Sequence, residues 1–232
     1  MSVRVVAINS SPRMGKGNTA LVLDPFIEGM KDAGAKVELF YTKKLNIKPC
    51  IGDFRCWGST PGKCRFRDDM DTLLPKLRDA EIWVLGIPLY VPMPGEIQNL
   101  INRTMPLLDG DIDVRKGRMY PKRRKEFNLR SLVLVSSCYF WGMDNFDKLT
   151  FVIEETALAL GAEYAGALLR PQADVFKTML EAGEGGEKAV SAARSAGVQL
   201  IRNGKMAKST LKKVSENLLS STEFLRRFSS NG

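Results

Sequence analysis

The stretch "RVVAINSSPRMGKGNTA", residues 4–20, joins an apolar segment to a polar loop. Its first six residues, RVVAIN, are largely apolar and partly β-branched, as in a strand covered on both faces of a parallel sheet. The next eight residues, SSPRMGKG, are polar and contain two glycines, which predicts a loop. The stretch therefore predicts the first strand and the first strand-to-helix loop of an α/β protein.

The alternation of strand and helix patterns continues along most of the chain. After the first loop, residues 18–35 predict a helix that ends near Gly34 and carries one apolar face, formed by Leu21, Leu23, Phe26, Ile27 and Met30. Further strands are predicted at 36–42, 81–88, 129–137 and 162–171, and further helices at 95–108, 146–161 and 187–204. Five strands with intervening helices predict an α/β fold with a doubly wound parallel sheet.

Length and composition bound the class of protein. The 232 residues, 44% of them hydrophobic, suffice for one substantial core, so we expect one domain at 1–204, with a cysteine-containing loop inserted at about 47–70, and a helical C-terminal extension at 205–232. No run of about 18 apolar residues occurs, and the N-terminal segment turns polar after one strand's length. We therefore expect no membrane span, no signal peptide and a cytoplasmic location.

The chain contains no histidine. This excludes Ser-His and Cys-His catalysis as well as histidine-ligated metals, and it leaves cysteine, carboxylate or a bound organic cofactor to carry chemistry. Four cysteines, three of them clustered, are more typical of a metal or redox site in a reducing compartment than of a disulfide scaffold.

The basic residues are unevenly distributed. The formal net charge is +9, and residues 115–130, "RKGRMYPKRRKEFNLR", carry much of it. We interpret this segment as a solvated loop, with attraction of a small anionic ligand or an acidic partner, or a nucleic-acid patch, as the alternatives. Because aromatic residues that could stack on bases are sparse there, nucleic acid is the least favoured partner.

The first loop has the composition of an anion site. Residues 9–20 supply hydroxyl and amide donors and two cations: Ser10, Ser11, Asn18, Thr19, Arg13 and Lys16. The start of a helix adds backbone N–H groups and a positive dipole end, which suit a terminal phosphate. The alternative is an ordinary N-capped helix entry. The glycine-rich fingerprint of dinucleotide-binding proteins fits poorly, because the glycines of this loop lie too far past the strand. The P-loop pattern also fits poorly, because Gly15-Lys16 is not followed by Ser or Thr.

Two more loops follow predicted strands and should lie at the same edge of the sheet, where folds of this class bind ligands. "IPLYVPMPG", residues 87–95, contains three prolines that stiffen its backbone and Tyr90 that could stack on a ring; a purely structural loop is the alternative. "SSCYFWGMDNF", residues 136–146, places aromatic residues beside a thiol; the alternative is packing beneath the next helix. Cys138 is not favoured as a nucleophile, since no histidine can serve as its base.

The segment "CIGDFRCWGSTPGKC", residues 50–64, has a spacing suited to an iron–sulfur cluster. It reads Cys50-x2-Asp53-x2-Cys56-x7-Cys64, whereas a [4Fe–4S] cluster takes four thiolates. Four alternatives stay open: Asp53 supplies an oxygen ligand, Cys138 is recruited, an exogenous ligand completes the site, or no cluster binds and the loop covers a neighbouring site or a subunit contact. Zinc is less favoured, because Asp53 interrupts the first cysteine pair.

Six segments of the chain resemble the motifs of flavodoxin-like NAD(P)H-dependent FMN reductases, in particular the iron–sulfur flavoprotein branch. In order along the chain they are "SPRMGKGNTA", "PCIGDFRCW", "GKC", "DDM", "PLYVPMPGEIQNLINR" and "SSCYFWGMDNFD". The resemblance covers about residues 3–175 and implies the flavodoxin-like strand order 2-1-3-4-5 and an FMN cofactor. By this resemblance the phosphate would be held by Ser11, Arg13, Asn18 and Thr19, with Lys16 as a further cofactor-binding residue. The isoalloxazine ring would be flanked on one side by Pro88, Leu89, Tyr90 and Val91 and on the other by Ser136, Ser137, Cys138 and Tyr139.

The resemblance also implies a function, the relay of electrons from NAD(P)H or reduced ferredoxin to a quinone, metal or protein acceptor. It implies a homodimer or homotetramer, and iron–sulfur ligation by Cys50, Asp53, Cys56 and Cys64 stays open. The alternatives are a flavodoxin-like electron carrier without its own turnover, against which the basic surface argues, and a nucleic-acid-linked redox sensor.

Three residues near the cysteine segment receive structural interpretations. Asp68 and Asp69 precede a helical pattern, where caps and the helix dipole favour acids, so we expect them to be structural. Members of the family that this chain resembles often have the pair Asp-Arg at the position where this chain has Asn102 and Arg103. A role for a carboxylate there is therefore not carried over, and Arg103 is left to form a salt bridge.

Overall fold

The parallel sheet contains five of the seven strands found in residues 2–229, the part of the chain that this computed structural model describes. In chain order the strands are β1 (Arg4–Asn9), β2 (Lys36–Tyr41), β3 (Ile82–Pro88), β4 (Leu108–Arg115), β5 (Arg118–Arg123), β6 (Ser131–Ser137) and β7 (Glu163–Arg170). The sheet order is β2-β1-β3-β6-β7, with every neighbouring pair parallel. Counted within the sheet, this is order 2-1-3-4-5, so the predicted flavodoxin-like topology is confirmed.

Helices cover both faces of the sheet. They are α1 (Ala20–Asp32), α2 (Met70–Asp79), α3 (Gly95–Asn102), α4 (Asp147–Ala159), α5 (Ala173–Ala182), α6 (Glu187–Asn203), α7 (Lys208–Val214) and α8 (Ser221–Ser229). One core cluster joins the sheet to α2, α3 and α4, and the other joins it to α1, α5, α6 and α7. The central strands β1, β3 and β6 are therefore buried on both faces, as the continuous apolar run of β1 predicted, whereas the edge strands β2 and β7 are largely half-buried.

Helices α1 and α6 cross at two glycines. A Cβ at Gly29 would lie 1.9 Å from the carbonyl oxygen of Arg194, and one at Gly197 would lie 2.1 Å from that of Phe26. Only glycine permits this approach, because such distances are far below van der Waals contact. The crossing fixes α1, and with it the loop that follows β1.

The interpretation of residues 115–130 as a solvated loop is wrong for the part that forms β5. Strands β4 and β5 pair antiparallel around a two-residue turn, in which Lys116 and Gly117 both have positive φ, as a type I′ hairpin requires. The guanidinium of Arg115 donates to the carbonyl oxygens of Leu158 and Ala159, and that of Arg123 donates to the carbonyl oxygens of Gly161, Phe127 and Leu129. The guanidinium groups of Arg115 and Arg123 therefore bind backbone carbonyl oxygens of this chain.

Two further helix predictions need correction. The helix predicted at 95–108 ends at Asn102 and is followed by a short 3-10 turn at Met105–Leu107, because Pro106 lacks the N–H that would continue an α-helix. Helix α5 was not predicted. It is short, and it begins directly after Gln172, whose φ is +54°.

The residues after Gly204 that lie within the described range form α7, which packs beside β7, and α8, whose Phe224 ring lies 6.3 Å from that of Tyr139. The buried side chain of Arg170 donates to the carbonyl oxygens of Val214 (2.8 Å) and Glu216 (2.6 Å), and burial lowers the pKa of this guanidinium to about 10. Gln172 accepts from the N–H of Leu219 and donates to its carbonyl oxygen. The division into a domain at 1–204 and an extension at 205–232 stays a prediction, and its residues 230–232 lie outside the described range. Within residues 2–229 no helix has both the length and the apolar character needed to cross a membrane.

Candidate cofactor site and cysteine loop

The loops after β1, β3 and β6 meet at the carboxyl edge of the sheet around a cavity of about 150 Å³. Its lining comes from all three loops that the sequence singled out and from the start of α5: Ser11, Pro12, Arg13, Asn18, Thr19, Pro88, Leu89, Tyr90, Ser137, Tyr139, Ala173 and Asp174. We call it the polar cavity. Ala173 and Asp174 were not among the predicted site residues.

A second cavity, of about 360 Å³, lies next to the first and shares Leu89, Tyr90 and Tyr139 with it. We call it the aromatic cavity; its remaining lining is Val91, Pro92, Cys138, Phe140, Asn145 and Lys148. The side chain of Lys148 is the cationic group in this lining, and neither Lys148 nor Asn145 was predicted. The two cavities together offer a polar end and a mainly apolar end.

The first loop folds into a tight cradle because its polar side chains bond its own backbone. Asn9 Oδ1 accepts from the N–H of Ser11 (2.9 Å), and Ser11 Oγ accepts from the N–H of Arg13 (3.3 Å). A Cβ at Gly17 would lie 2.3 Å from Ser11 Oγ, so a larger residue there would displace the Ser11 hydroxyl from its hydrogen bond with the N–H of Arg13. The cradle is therefore set by local sequence.

Two helix N-termini reach the polar cavity, those of α1 and α5. Thr19 occupies the N-cap position of α1 but makes no side-chain cap hydrogen bond. Its hydroxyl instead pairs with the Ser137 hydroxyl at 2.8 Å, which ties the start of α1 to the end of β6. The ordinary capped-helix alternative therefore does not describe this loop, and the positive dipole ends of two helices lie at one cavity.

Two predicted site residues do not reach either cavity lining. Lys16 is exposed on the short 3-10 turn that precedes α1. Ser136 is completely buried, and its hydroxyl has no hydrogen-bond partner among residues 2–229. Side chains alternate between the faces of a strand, so Ser136 and its neighbour Ser137 point to opposite sides, and only Ser137 reaches the cavity.

Cys138 lines the aromatic cavity, and the residue is buried, with 3% of its surface exposed. Burial raises the pKa of this thiol, and the nearby carboxylate of Asp144 acts in the same direction, against a hydrogen bond from the N–H of Phe140. The thiol therefore stays protonated at neutral pH, as expected for a residue that is not a nucleophile. Cys138 does not line the cavity of the cysteine loop, so its recruitment there receives no support.

The cysteine loop spans residues 47–69, and Cys50, Asp53, Cys56 and Cys64 all line one small cavity of about 40 Å³. Burial raises the pKa of the Cys56 thiol, and the proximity of Cys64 and Cys50 raises it further. The Asp53 carboxylate lies 3.7 Å from Nε of Arg55 and 3.6 Å from Nη1 of Arg65. Among residues 2–229 no three side chains of the ligating types are arranged to hold a metal ion. In this arrangement the loop does not fit a metal centre.

A buried ion pair closes the base of the cysteine loop. Arg103 donates through Nη1 and Nη2 to the two oxygens of Asp68 at 2.7 and 3.1 Å, and the side chains are 1% and 0% exposed. Asp68 also accepts from the N–H groups of Lys48 and Met70. Burial alone would raise the pKa of Asp68, but the bonds from Arg103 and the two amides outweigh it and hold the pKa below its ordinary value. The expected salt bridge of Arg103 and the structural role of Asp68 are both confirmed.

Asp69 occupies the N-cap position of α2 but makes no side-chain cap bond. It instead accepts from the N–H of Asn46, on the other side of the cysteine loop. Its role is structural as expected, although the interaction joins two chain segments and does not cap the helix.

An open parallel sheet with this strand order and a cavity at helix N-termini on its carboxyl edge defines a flavodoxin-like α/β protein. Residues 3–143 match the sequence profile described as NADPH-dependent FMN reductase. The chain belongs to this family.

Curated relatives include an iron-sulfur flavoprotein of Archaeoglobus fulgidus, 32% identical over 120 residues, which are 51% of this chain and 57% of the relative. Another, an iron-sulfur flavoprotein of Methanocaldococcus jannaschii, is 31% identical over 109 residues, which are 47% of this chain and 55% of the relative. The matches thus span little more than half the length of either relative.

Solved structures with the same fold include an NAD(P)H:quinone oxidoreductase from Methanothermobacter marburgensis, with a TM-score of 0.59 and 16% identity over 86% of this chain and 98% of that one. An FMN-dependent NADH-azoreductase from Bacillus anthracis in complex with FMN has a TM-score of 0.61 and 14% identity over 86% of this chain and 100% of that one. At these identities the likeness shows the shared fold.

Proposed function

We propose that this protein is an FMN-dependent oxidoreductase that takes electrons from NAD(P)H and passes them to a small-molecule or protein acceptor. The observation that carries the proposal is the pair of joined cavities at the carboxyl edge of the sheet, in a chain of the FMN reductase family. The polar cavity suits a phosphorylated chain, and the aromatic cavity suits a flat ring.

The residues present fit FMN in chemistry. Asn18 lines the polar cavity, and its Oδ1 is buried without a hydrogen-bond partner among residues 2–229, which favours a ligand that supplies one. In this proposal Ser11, Arg13 and Thr19 hold the phosphate at the N-terminus of α1. FMN bound there would supply hydride acceptance and the return of electrons singly or in pairs.

The chain's own contribution is orientation and exclusion of water. Pro88, Leu89, Tyr90 and Val91 would line one side of the ring, and Ser137, Cys138 and Tyr139 the other. The protonated Cys138 thiol adds no charge to the aromatic cavity, whereas Lys148 adds a positive charge at its lining. Such a charge favours a ring that becomes more negative when it accepts electrons.

The proposed assembly is a homodimer or homotetramer. Large apolar side chains in the lining of the aromatic cavity are exposed, among them Tyr90, Val91 and Phe140. Exposed apolar patches of this kind mark interaction surfaces. A second subunit seated there would exclude water from the cavity. Sedimentation of the flavin-loaded protein tests this, and a monomer at micromolar concentration would contradict it.

A [4Fe–4S] cluster in the cysteine loop stays a prediction. The similarity to iron-sulfur flavoproteins favours it, whereas the pairing of Asp53 with Arg55 and Arg65 argues against a ready site. The proposed oxidoreductase does not depend on it. Iron and acid-labile sulfide, measured on protein purified without oxygen and on the Cys64→Ser variant, decide the question: about four of each per chain, lost in the variant, would establish the cluster.

The function is tested by loading the protein with FMN and following its reduction by NADPH and NADH without oxygen, then turnover with a quinone or ferricyanide. Arg13→Gln should weaken FMN binding, and Arg130→Gln serves as the matched control, since Arg130 is an exposed cation paired with Glu81. A flavin-loaded protein that neither nucleotide reduces, but that reduced ferredoxin does, would favour the electron-carrier alternative.

A further inference from the structure

We propose that Asp174 and Asn18 form a hydroxyl-binding subsite that holds the ribityl chain of FMN and not its phosphate. This inference rests on the proposed FMN-dependent function. It adds a residue, Asp174, that the sequence did not single out, and it changes the role expected for Asn18.

Asp174 belongs to the first turn of α5 and lines the polar cavity. Its carboxylate oxygen Oδ1 accepts a hydrogen bond from Asn18 Nδ2 at 2.6 Å, across 156 residues of sequence. Asn18 is 6% exposed, and its Oδ1 has no partner among residues 2–229. A buried carboxamide thus has its donor end engaged and its acceptor end unsatisfied.

The pair therefore offers acceptors to a ligand. Phosphate oxygens at neutral pH are mainly acceptors, and a carboxylate repels them. Hydroxyl groups, in contrast, donate to carboxylate and amide oxygens. An unsatisfied buried acceptor is costly, so a ligand hydroxyl that reaches Asn18 Oδ1 as the ligand seats would add affinity.

The same cavity separates the two ends of such a ligand by charge. Arg13 and the cradle at Ser11 lie on the first loop, and they suit the phosphate. Asp174 is the anionic group in the lining of the polar cavity. A ligand with a phosphate at one end and hydroxyl groups along its chain, such as FMN, can bind the cationic first loop through its phosphate and Asp174 through its hydroxyl groups.

The test compares two probes, FMN and riboflavin, which share the ribityl chain and differ in the phosphate. Dissociation constants are measured by fluorescence titration of flavin-free protein. Asp174→Ala should weaken both probes by the same factor, about tenfold or more, because a hydrogen bond to a charged group is lost. Asp174→Asn keeps an acceptor without the charge and should fall between wild type and Asp174→Ala for both probes.

Two controls accompany these variants. Glu181→Ala, at an exposed acid of the same helix, should change neither affinity. Arg13→Ala should weaken FMN and leave riboflavin unchanged. Thermal melting confirms that each variant is folded, and Asp174→Asn, nearly identical in shape, keeps the comparison available where Asp174→Ala is not folded.

Tighter FMN binding by the Asp174 variants, with riboflavin unchanged, would place the carboxylate against the phosphate and overturn the inference. Unchanged affinity for both probes would also overturn it, as would wild-type protein that binds FMN but not riboflavin. Wild-type protein that binds neither flavin would instead refute the proposed function.

Discussion

Replacing Asp68 by Asn tests whether the buried ion pair holds the cysteine loop in place. The substitution keeps the shape of the side chain but removes its charge, and it leaves the guanidinium of Arg103 buried without its counter-ion. Besides the new carboxamide oxygen, Arg103 keeps the carbonyl oxygen of Lys48, at 2.7 Å, and the Cys64 side chain as hydrogen-bond partners, and neither replaces the carboxylate charge.

The expected loss of stability is large, because both side chains are almost completely shielded from water, at 1% and 0% exposure. Breaking one partner of such a pair costs about 3–5 kcal/mol. For a domain of this size that corresponds to a fall in melting temperature of roughly 6–20 °C. Replacing both residues, as Asp68→Leu with Arg103→Met, should cost less, since no unpaired charge stays buried.

The effect should depend on pH in a defined direction. The folded-state pKa of Asp68 is held below its ordinary value of 3.8, so its stabilisation is present above that value. It is lost as the pH falls through the folded-state pKa. The difference between wild type and Asp68→Asn should therefore be full at pH 7 and shrink below about pH 4.

The assay is thermal unfolding followed by circular dichroism, together with the rate at which a thiol reagent modifies Cys56 and Cys64. Asp71→Asn is the matched control, because Asp71 lies in the first turn of α2, close to Asp68 in the sequence, and its pair with Arg67 is exposed, so it should change stability by less than about 0.5 kcal/mol. A melting temperature and cysteine reactivity that are both unchanged in Asp68→Asn would refute the role assigned to the pair.

Gly17→Ala should weaken FMN binding by about tenfold or more, because its Cβ would lie 2.3 Å from Ser11 Oγ and would displace this hydroxyl, which is proposed to bind the phosphate. Gly95→Ala, whose Cβ meets no atom within 4 Å, should bind FMN as wild type does. Equal FMN titrations for the two variants would contradict the cradle. Arg170→Met should remove the hydrogen bonds to the carbonyl oxygens of Val214 and Glu216, at the end of α7, and destabilise the protein by about 3 kcal/mol or more. Tryptic cleavage within 205–229 should be faster than in the exposed control Arg194→Met. Cleavage at the wild-type rate would show that Arg170 does not anchor this segment. Cys138→Ser should lower NAD(P)H oxidation by less than about tenfold, because a thiol kept protonated by burial is no general base; a loss of roughly 10²–10⁴-fold would assign it that role.

The sheet was predictable because its strands carry continuous apolar runs. The bounds of β1 match the prediction residue for residue, and the topology follows from repeated alternation with helices. The two hairpin strands were missed because their exposed faces are charged, although the Lys-Gly pair at 116–117 is a turn signal of the kind that requires positive φ.

The candidate site was predictable where it consists of loops that directly follow strands. Asp174 could not be predicted as a site residue, because it lies on the short helix α5. The contact of Asp174 with Asn18 also joins segments that are far apart in the sequence. The cysteine spacing likewise placed Cys50, Asp53, Cys56 and Cys64 around one cavity. The pairing of Asp53 with two arginines depends on how the loop folds, which spacing does not encode.

The proposed FMN-dependent function is tested most directly by an absorption and fluorescence titration of the flavin-free protein with FMN, followed by addition of NADPH without oxygen. We expect saturable binding of one FMN per chain, weakened in Gly17→Ala, and bleaching of the flavin bands by the nucleotide. Protein that is folded and fails to bind FMN at micromolar concentration would contradict it.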